Sequence, residues 1–187
     1  MTASPEEALW VLRAQQGDRE ALELLLRRVQ PALLRYLRGI VGPDDADDLV
    51  QDVLVLVFRK LRWLHAPELF RPWAFRIASR TAFRHLKRRN RRPPHLDDEA
   101  LDAMAGEVTP SSRDSQEVLE ALLGADEVSP ASRAVLLLHY REEMTLPEVA
   151  AVLELPIGTI RSRLAYGLNT LRKLLAQKGL SDVGRYK

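Results

Sequence analysis

"TLPEVAAVLELPIGTIRSRLAYGLNTLRKLL", residues 145–175, decides the fold. Thr145-Leu146-Pro147-Glu148 has the spacing of a capping box, in which Thr and Glu satisfy each other's free backbone amides at a helix start. Proline is accepted in that first turn because its missing amide has no helical partner to lose. Val149, Val152 and Leu153 give the short helix one apolar face, and the small Ala150 sits where a second helix can come close. "ELPIG", residues 154–158, ends this helix and opens the next. There Ile160, Leu164, Leu168, Leu171 and Leu175 recur at three-to-four spacing. The pattern is a helix–turn–helix. Arg161, Ser162 and Arg163 lie off the apolar stripe at the N-terminal end of its second helix. That is the end that enters a major groove, where arginine pairs with guanine and hydroxyls reach bases or phosphates. A surface helix with solvated arginines is the other reading of the same residues.

Working outward, helical signals continue and no alternating strand pattern is found. Ser4-Pro5-Glu6-Glu7 reads as a helix start. Gly17-Asp18 breaks that helix and caps a second, whose Leu22, Leu25, Val29, Leu33, Tyr36 and Leu37 make an amphipathic stripe that Gly42-Pro43 stops. "DDADDLVQDVLVLVFRKL", residues 44–61, starts a third helix with Asp44 and Asp45 as the better caps. "HAPELFRP" is a proline-punctuated loop, and a fourth helix runs from about Trp73 to Arg89. On it, Arg76, Arg80, Arg84, Lys87, Arg88 and Arg91 fall on one arc, with Phe83 at its edge. Ala74, Ala78, Ala82, His85 and Leu86 fall roughly opposite. No acid is interspersed to neutralise this ridge by helix salt bridges, which is the footprint expected for a polyanion. An aromatic beside arginine suits stacking on unpaired bases, and Phe83 packing on the preceding loop is the alternative.

After Pro93-Pro94 the charge changes sign. From Asp97 to Glu127 the chain carries ten acids and one base, Arg113. Such a segment repels itself and reads as a flexible linker. Past Ser115 the helical pattern returns in "QEVLEALLG" and "SPASRAVLLLHYRE". The chain is thus expected to be all-α: two small helical domains on an acidic linker. The boundaries are 1–92 for the first domain, 93–114 for the linker, 115–179 for the second domain and 180–187 for a tail.

Composition limits the function classes. The 187 residues contain no cysteine, so disulfides and cysteine-based metal sites are excluded. His65, His85, His95 and His139 form no His-Glu-x-x-His arrangement, and no Gly-rich phosphate loop occurs. Neither an enzyme nor a cofactor is expected. No apolar run approaches the roughly 20 residues that cross a bilayer, and the acidic start is unlike a signal peptide; a cytoplasmic chain without membrane insertion is expected.

Three blocks, in order and spacing, resemble the extracytoplasmic-function (ECF) sigma factors of bacterial RNA polymerase. "DADDLVQDVLVLVFRKL" is similar to the family's region 2.2, "FRPWAFRIASRTAFRHLKRRNRR" to regions 2.3 and 2.4, and "TLPEVAAVLELPIGTIRSRL" to region 4.2. The resemblance implies a sigma region 2 helical bundle and a sigma region 4 helix–turn–helix. It also implies an initiation subunit whose partners are core RNA polymerase, promoter DNA and an anti-sigma factor, with no small-molecule substrate. Carried onto this sequence, polymerase contact falls on Asp48, Leu49, Gln51, Asp52 and Phe58. Contact with the promoter's minus-10 element falls on Arg76, Arg80, Phe83, Arg84, Lys87 and Arg88, with loop residues 64–70 holding extruded bases. Contact with the minus-35 element falls on Thr159, Arg161, Ser162, Arg163 and Tyr166. The acidic linker, through Asp97, Asp98, Glu99 and Asp102, would occupy the polymerase's nucleic-acid channel.

The chain also departs from the family. Ser79-Arg80 stands where Arg-Asn is frequent, and Arg84 where Asp is. Glu154 holds a turn position usually given to Gly, at a cost of about 1–2 kcal/mol if left-handed. Ala165 to Asn169 replaces a basic pattern, and Gly167 weakens its helix by roughly 1 kcal/mol. These departures keep open a sigma-like decoy that binds an anti-sigma factor without initiating transcription.

Overall fold

The computed structural model describes residues 4–89 and 127–177. All regular structure among them is helical, as expected, and no strand occurs there. The linker 93–114, the helix expected over 116–124 and the tail 180–187 lie outside the described residues.

Helix α1 (Pro5–Gln15) is capped by Ser4, whose hydroxyl accepts the Glu7 amide. Asp18 caps α2 (Arg19–Val41), accepting the amides of Glu20 and Ala21. Gly42 ends α2 at φ 89°, a backbone conformation open to glycine without strain. Helix α3 (Pro43–Lys60) follows at once, and here the expectation of Asp caps fails. Its N-cap is Gly42, with no side-chain capping bond. Asp45 instead bonds Arg89 at 2.6 Å and lies 3.1 Å from His85 Nε2, joining the start of α3 to the end of α4. Two 3-10 turns (Leu61–Trp63 and Pro67–Leu69) lead into α4 (Phe70–Arg89). That helix starts three residues earlier than expected, because Pro72 falls within its first turn, where it is tolerated.

Helix α5 (Pro130–Leu136) runs into a π-helical turn, Leu137–Arg141. Its mark is the Glu142 amide donating five residues back to the Leu137 carbonyl at 3.1 Å. His139 Nδ1 then donates to the Met144 carbonyl at 2.7 Å, closing the loop into α6 (Leu146–Leu153). The capping box of Thr145 and Glu148 is formed. Glu154 follows in the left-handed conformation (φ 57°, ψ 45°), and α7 (Ile157–Gln177) completes the pair.

Helix α2 is the centre of the packing, touching α1, α3, α4 and α5. Tyr36 meets Phe75 edge to face at 5.4 Å, and its hydroxyl lies 2.8 Å from Ser79 Oγ. Because Ser79 spends its only proton on the Phe75 carbonyl, Tyr36 must be the donor in that pair. Gly167 has a packing reason: a Cβ there would fall 2.7 Å from Leu136 Cδ1, so the glycine lets α7 lie close against α5. Buried residues of both halves form one continuous apolar cluster, from Val11 to Leu171.

Candidate nucleic-acid interface

Helix α4 divides as its sequence period requires. Ala74, Phe75, Ile77, Ala78, Ser79 and Ala82 are buried, while Arg80, Arg84, Lys87 and Arg88 are exposed. The last three make no ion pair among the described residues, so their charge is open to a polyanion. Arg76 is less available than the helical wheel implies. It is half-buried, and its Nε finds no hydrogen-bond acceptor among the described residues. Ser79 faces Tyr36 in the core, which explains a small side chain at that position. Phe83 is half-buried, with Val152 and Leu153 of α6 lining the cleft beside it. It is packed in part against the apolar core.

The loop before α4 is anchored from α1. Gln15 Nε2 donates to the carbonyls of Leu61 and Leu64, both at 2.8 Å. His65, Glu68 and Leu69 stay exposed on it. Trp73 is half-buried and packs on Phe70 at 6.1 Å.

On α3, Asp47, Asp48, Gln51 and Asp52 form an exposed polar strip that continues into Val55 and Phe58, 47% and 56% exposed. Leu49 does not belong to this surface. It is 6% exposed and turned into the core with Val53 and Val57, being at helical spacing from them. Val55 was missed: four residues on from Gln51, it lies on the polar strip's face and is the apolar residue that should have drawn notice.

On α7, Arg161 and Tyr166 are exposed, and Thr159 and Ser162 half-exposed. Arg163 corrects an expectation. It is 4% exposed, because it follows Ile160 by three residues and adjoins Leu164, on the flank of the buried stripe. The exposed apolar residue at the entry of this helix is Ile157, 38% exposed and not singled out from sequence.

Among the described residues, side-chain pairs cross between the halves. Arg71 of α4 pairs with Glu142, which is only 1% exposed. Arg80 grips Glu154 with two nitrogens, Nε at 2.8 Å and Nη2 at 2.6 Å. The described residues hold no His, Asp or Glu cluster able to bind a metal, and no helix among them is long and apolar enough to cross a membrane.

The comparisons agree with this arrangement. Residues 25–92 match the family model described as Sigma-70 region 2, and residues 125–173 the one described as Sigma-70, region 4. The chain is 29% identical to the RNA polymerase sigma-H factor of Pseudomonas aeruginosa, covering 94% of this chain and 96% of that protein. It is 28% identical to the ECF RNA polymerase sigma-E factor of Escherichia coli K12, covering 88% and 91%. Among solved structures, CnrH in complex with the cytosolic domain of CnrY superposes with a TM-score of 0.67 at 25% identity, covering 92% of this chain and 98% of that one. The Bartonella quintana sigma factor RpoE, solved with the anti-sigma factor NepR, gives 0.63 at 24% identity, covering 82% and 96%. With both sigma regions present in order on an all-helical chain of matching length, the protein belongs to the ECF sigma factors of bacterial RNA polymerase.

Proposed function

We infer that this chain is a transcription initiation factor that binds core RNA polymerase and directs it to promoters. The observation that carries this reading is the pairing of sigma regions 2 and 4 on one chain with an α4 ridge whose outer cations, Arg84, Lys87 and Arg88, have no acidic partner among the described residues. Those three cations attract promoter phosphates, which position the protein without reading sequence. Arg161, Ser162 and Tyr166, with Thr159 at the helix entry, meet the minus-35 element. Asp48, Gln51, Asp52 and Phe58 offer polymerase an acidic strip with an apolar end. On sequence alone, Asp97, Asp98, Glu99 and Asp102 approach the polymerase's nucleic-acid channel; replacing all four without effect on holoenzyme assembly or abortive synthesis would remove that role. The chain acts in the cytoplasm, by binding rather than by catalysis, and an anti-sigma factor is its further partner, as NepR is for its Bartonella relative.

Run-off transcription with sigma-free core polymerase, on promoters from the protein's own genome, tests the reading. Initiation that depends on the added chain is the expected result. Core binding without initiation identifies a decoy, and DNA binding without core binding an ordinary helix–turn–helix regulator.

A further inference from the structure

Arginines from both halves of the chain converge on one cleft. Arg35 and Arg38 stand on α2, Arg133 on α5 and Arg141 on the π turn, and together they line a hollow of about 360 Å³. No acidic side chain lines it among the described residues. Its size falls within the range of small-ligand sites, roughly 300–1,000 Å³. None of these arginines belongs to the surfaces assigned above to polymerase or to promoter DNA.

The floor of the cleft is apolar and tightly packed. Leu137 is 2% exposed and lies so near Gly39 of α2 that a Cβ on the glycine would fall 2.5 Å from Leu137 Cδ1. Glycine here lets the two arginine-bearing walls come together. Arg38 is shared with Asp47 at 3.1 Å, whereas Arg35 and Arg141 make no ion pair among the described residues. Burial, and then the nearness of Arg35, push the Arg141 guanidinium below its ordinary value against the pull of Glu142. Like charges held together on a partly desolvated wall cost free energy that a bound anion removes. The rim adds a second attraction. Pro43, the first residue of α3, lines the cleft, and the start of that helix has no side-chain cap. Its free amides and the helix dipole favour negative charge. Of the acids in that turn, Asp45 is engaged by Arg89 and His85, and Asp44 is exposed to solvent.

We propose that this cleft is a binding site for a small polyphosphate anion, either inorganic or the phosphate chain of a nucleotide, held between regions 2 and 4. Guanidinium forks match phosphoryl oxygens in pairs, and an anion with several phosphoryl groups reaches the arginines of both walls at once. The proposal goes beyond the initiation-factor reading and does not depend on it.

Isothermal titration calorimetry of the full chain with tripolyphosphate, in magnesium-free buffer, tests the site. One saturable site per chain is expected, and sulfate at equal ionic strength should not displace the anion. ATP, with the same number of phosphoryl groups, separates the two sources: tighter binding than tripolyphosphate identifies a nucleotide site, equal or weaker binding an inorganic one. Arg35→Gln and Arg141→Gln should each weaken binding about tenfold or more, as expected for the loss of a charge-assisted hydrogen bond. Arg35 is exposed, so its variant keeps the measurement decisive if Arg141→Gln fails to fold. Replacing Arg84, Lys87 and Arg88 of α4 by Gln should leave the affinity unchanged, because that ridge is the other cationic surface to which an anion could drift. No saturable binding, displacement by sulfate, full affinity in Arg35→Gln, or a loss confined to the α4 variant overturns the proposal.

Discussion

Glu7 sits on α1 only 5% exposed, and burial pushes its carboxyl above the ordinary carboxylate range against the pull of Arg71 and Arg28. The folded state thus holds this proton more tightly than the unfolded chain does. Its charged form costs stability above the folded pKa, and the cost fades as pH falls through that value toward the unfolded pKa of about 4.3. Glu7→Gln should therefore stabilise the chain near neutral pH and make no difference below the unfolded pKa. Urea denaturation at the two pH values checks this; a loss of stability at neutral pH would refute it. Gly167 gives the opposite kind of test. Helix propensity alone favours replacing it, yet any side chain must displace Leu136, which is fully buried. Gly167→Val is expected to destabilise by about 1–3 kcal/mol through overpacking, measured by the same method.

At the scale of elements, α4 is the test of DNA contact. If Arg84, Lys87 and Arg88 each meet a phosphate, promoter affinity falls with salt by about 0.9 log units per log salt for each contact. Replacing all three with Gln should flatten the slope of log affinity against log salt by up to about 2.7; an unchanged slope clears the ridge of that role. Elements were also where the sequence was most legible. The capping box at Thr145 and Glu148 and the apolar faces of α2 and α7 arise from local rules and are present, while the left-handed Glu154 falls at the turn position that only the family resemblance marked out. The misses have equally local causes. Helical wheels blur at the flanks of a stripe, so Arg163 read as outward when it is buried. Capping propensity could not foresee that Asp45 would bond Arg89 and approach His85 instead. Partners 71 and 74 residues apart leave no periodic trace, so neither Arg71–Glu142 nor Arg80–Glu154 was visible.

For the whole molecule, the buried Arg71–Glu142 pair couples the two halves. Removing one partner of a buried pair costs about 3–5 kcal/mol when the survivor stays buried. Here Glu142 can regain water if region 4 lifts away, so Arg71→Ala should lose closure before it loses either domain. Calorimetry is expected to show one transition for the native chain and two for the variant; a single unshifted transition in the variant would contradict the coupling. The π turn at Leu137–Arg141 gives this coupling an evolutionary side. It aims Glu142 by holding one residue more than an α-helix would, and each helical residue rotates the succeeding chain by about 100°. Deleting any one of the five would restore regular winding and swing Glu142 away from Arg71, whatever the identity of the residue lost. Homologues descended from a common ancestor can thus exchange side chains of like size along this buried stretch without turning Glu142 away, but a gain or loss of length there would separate lineages that close from lineages that do not.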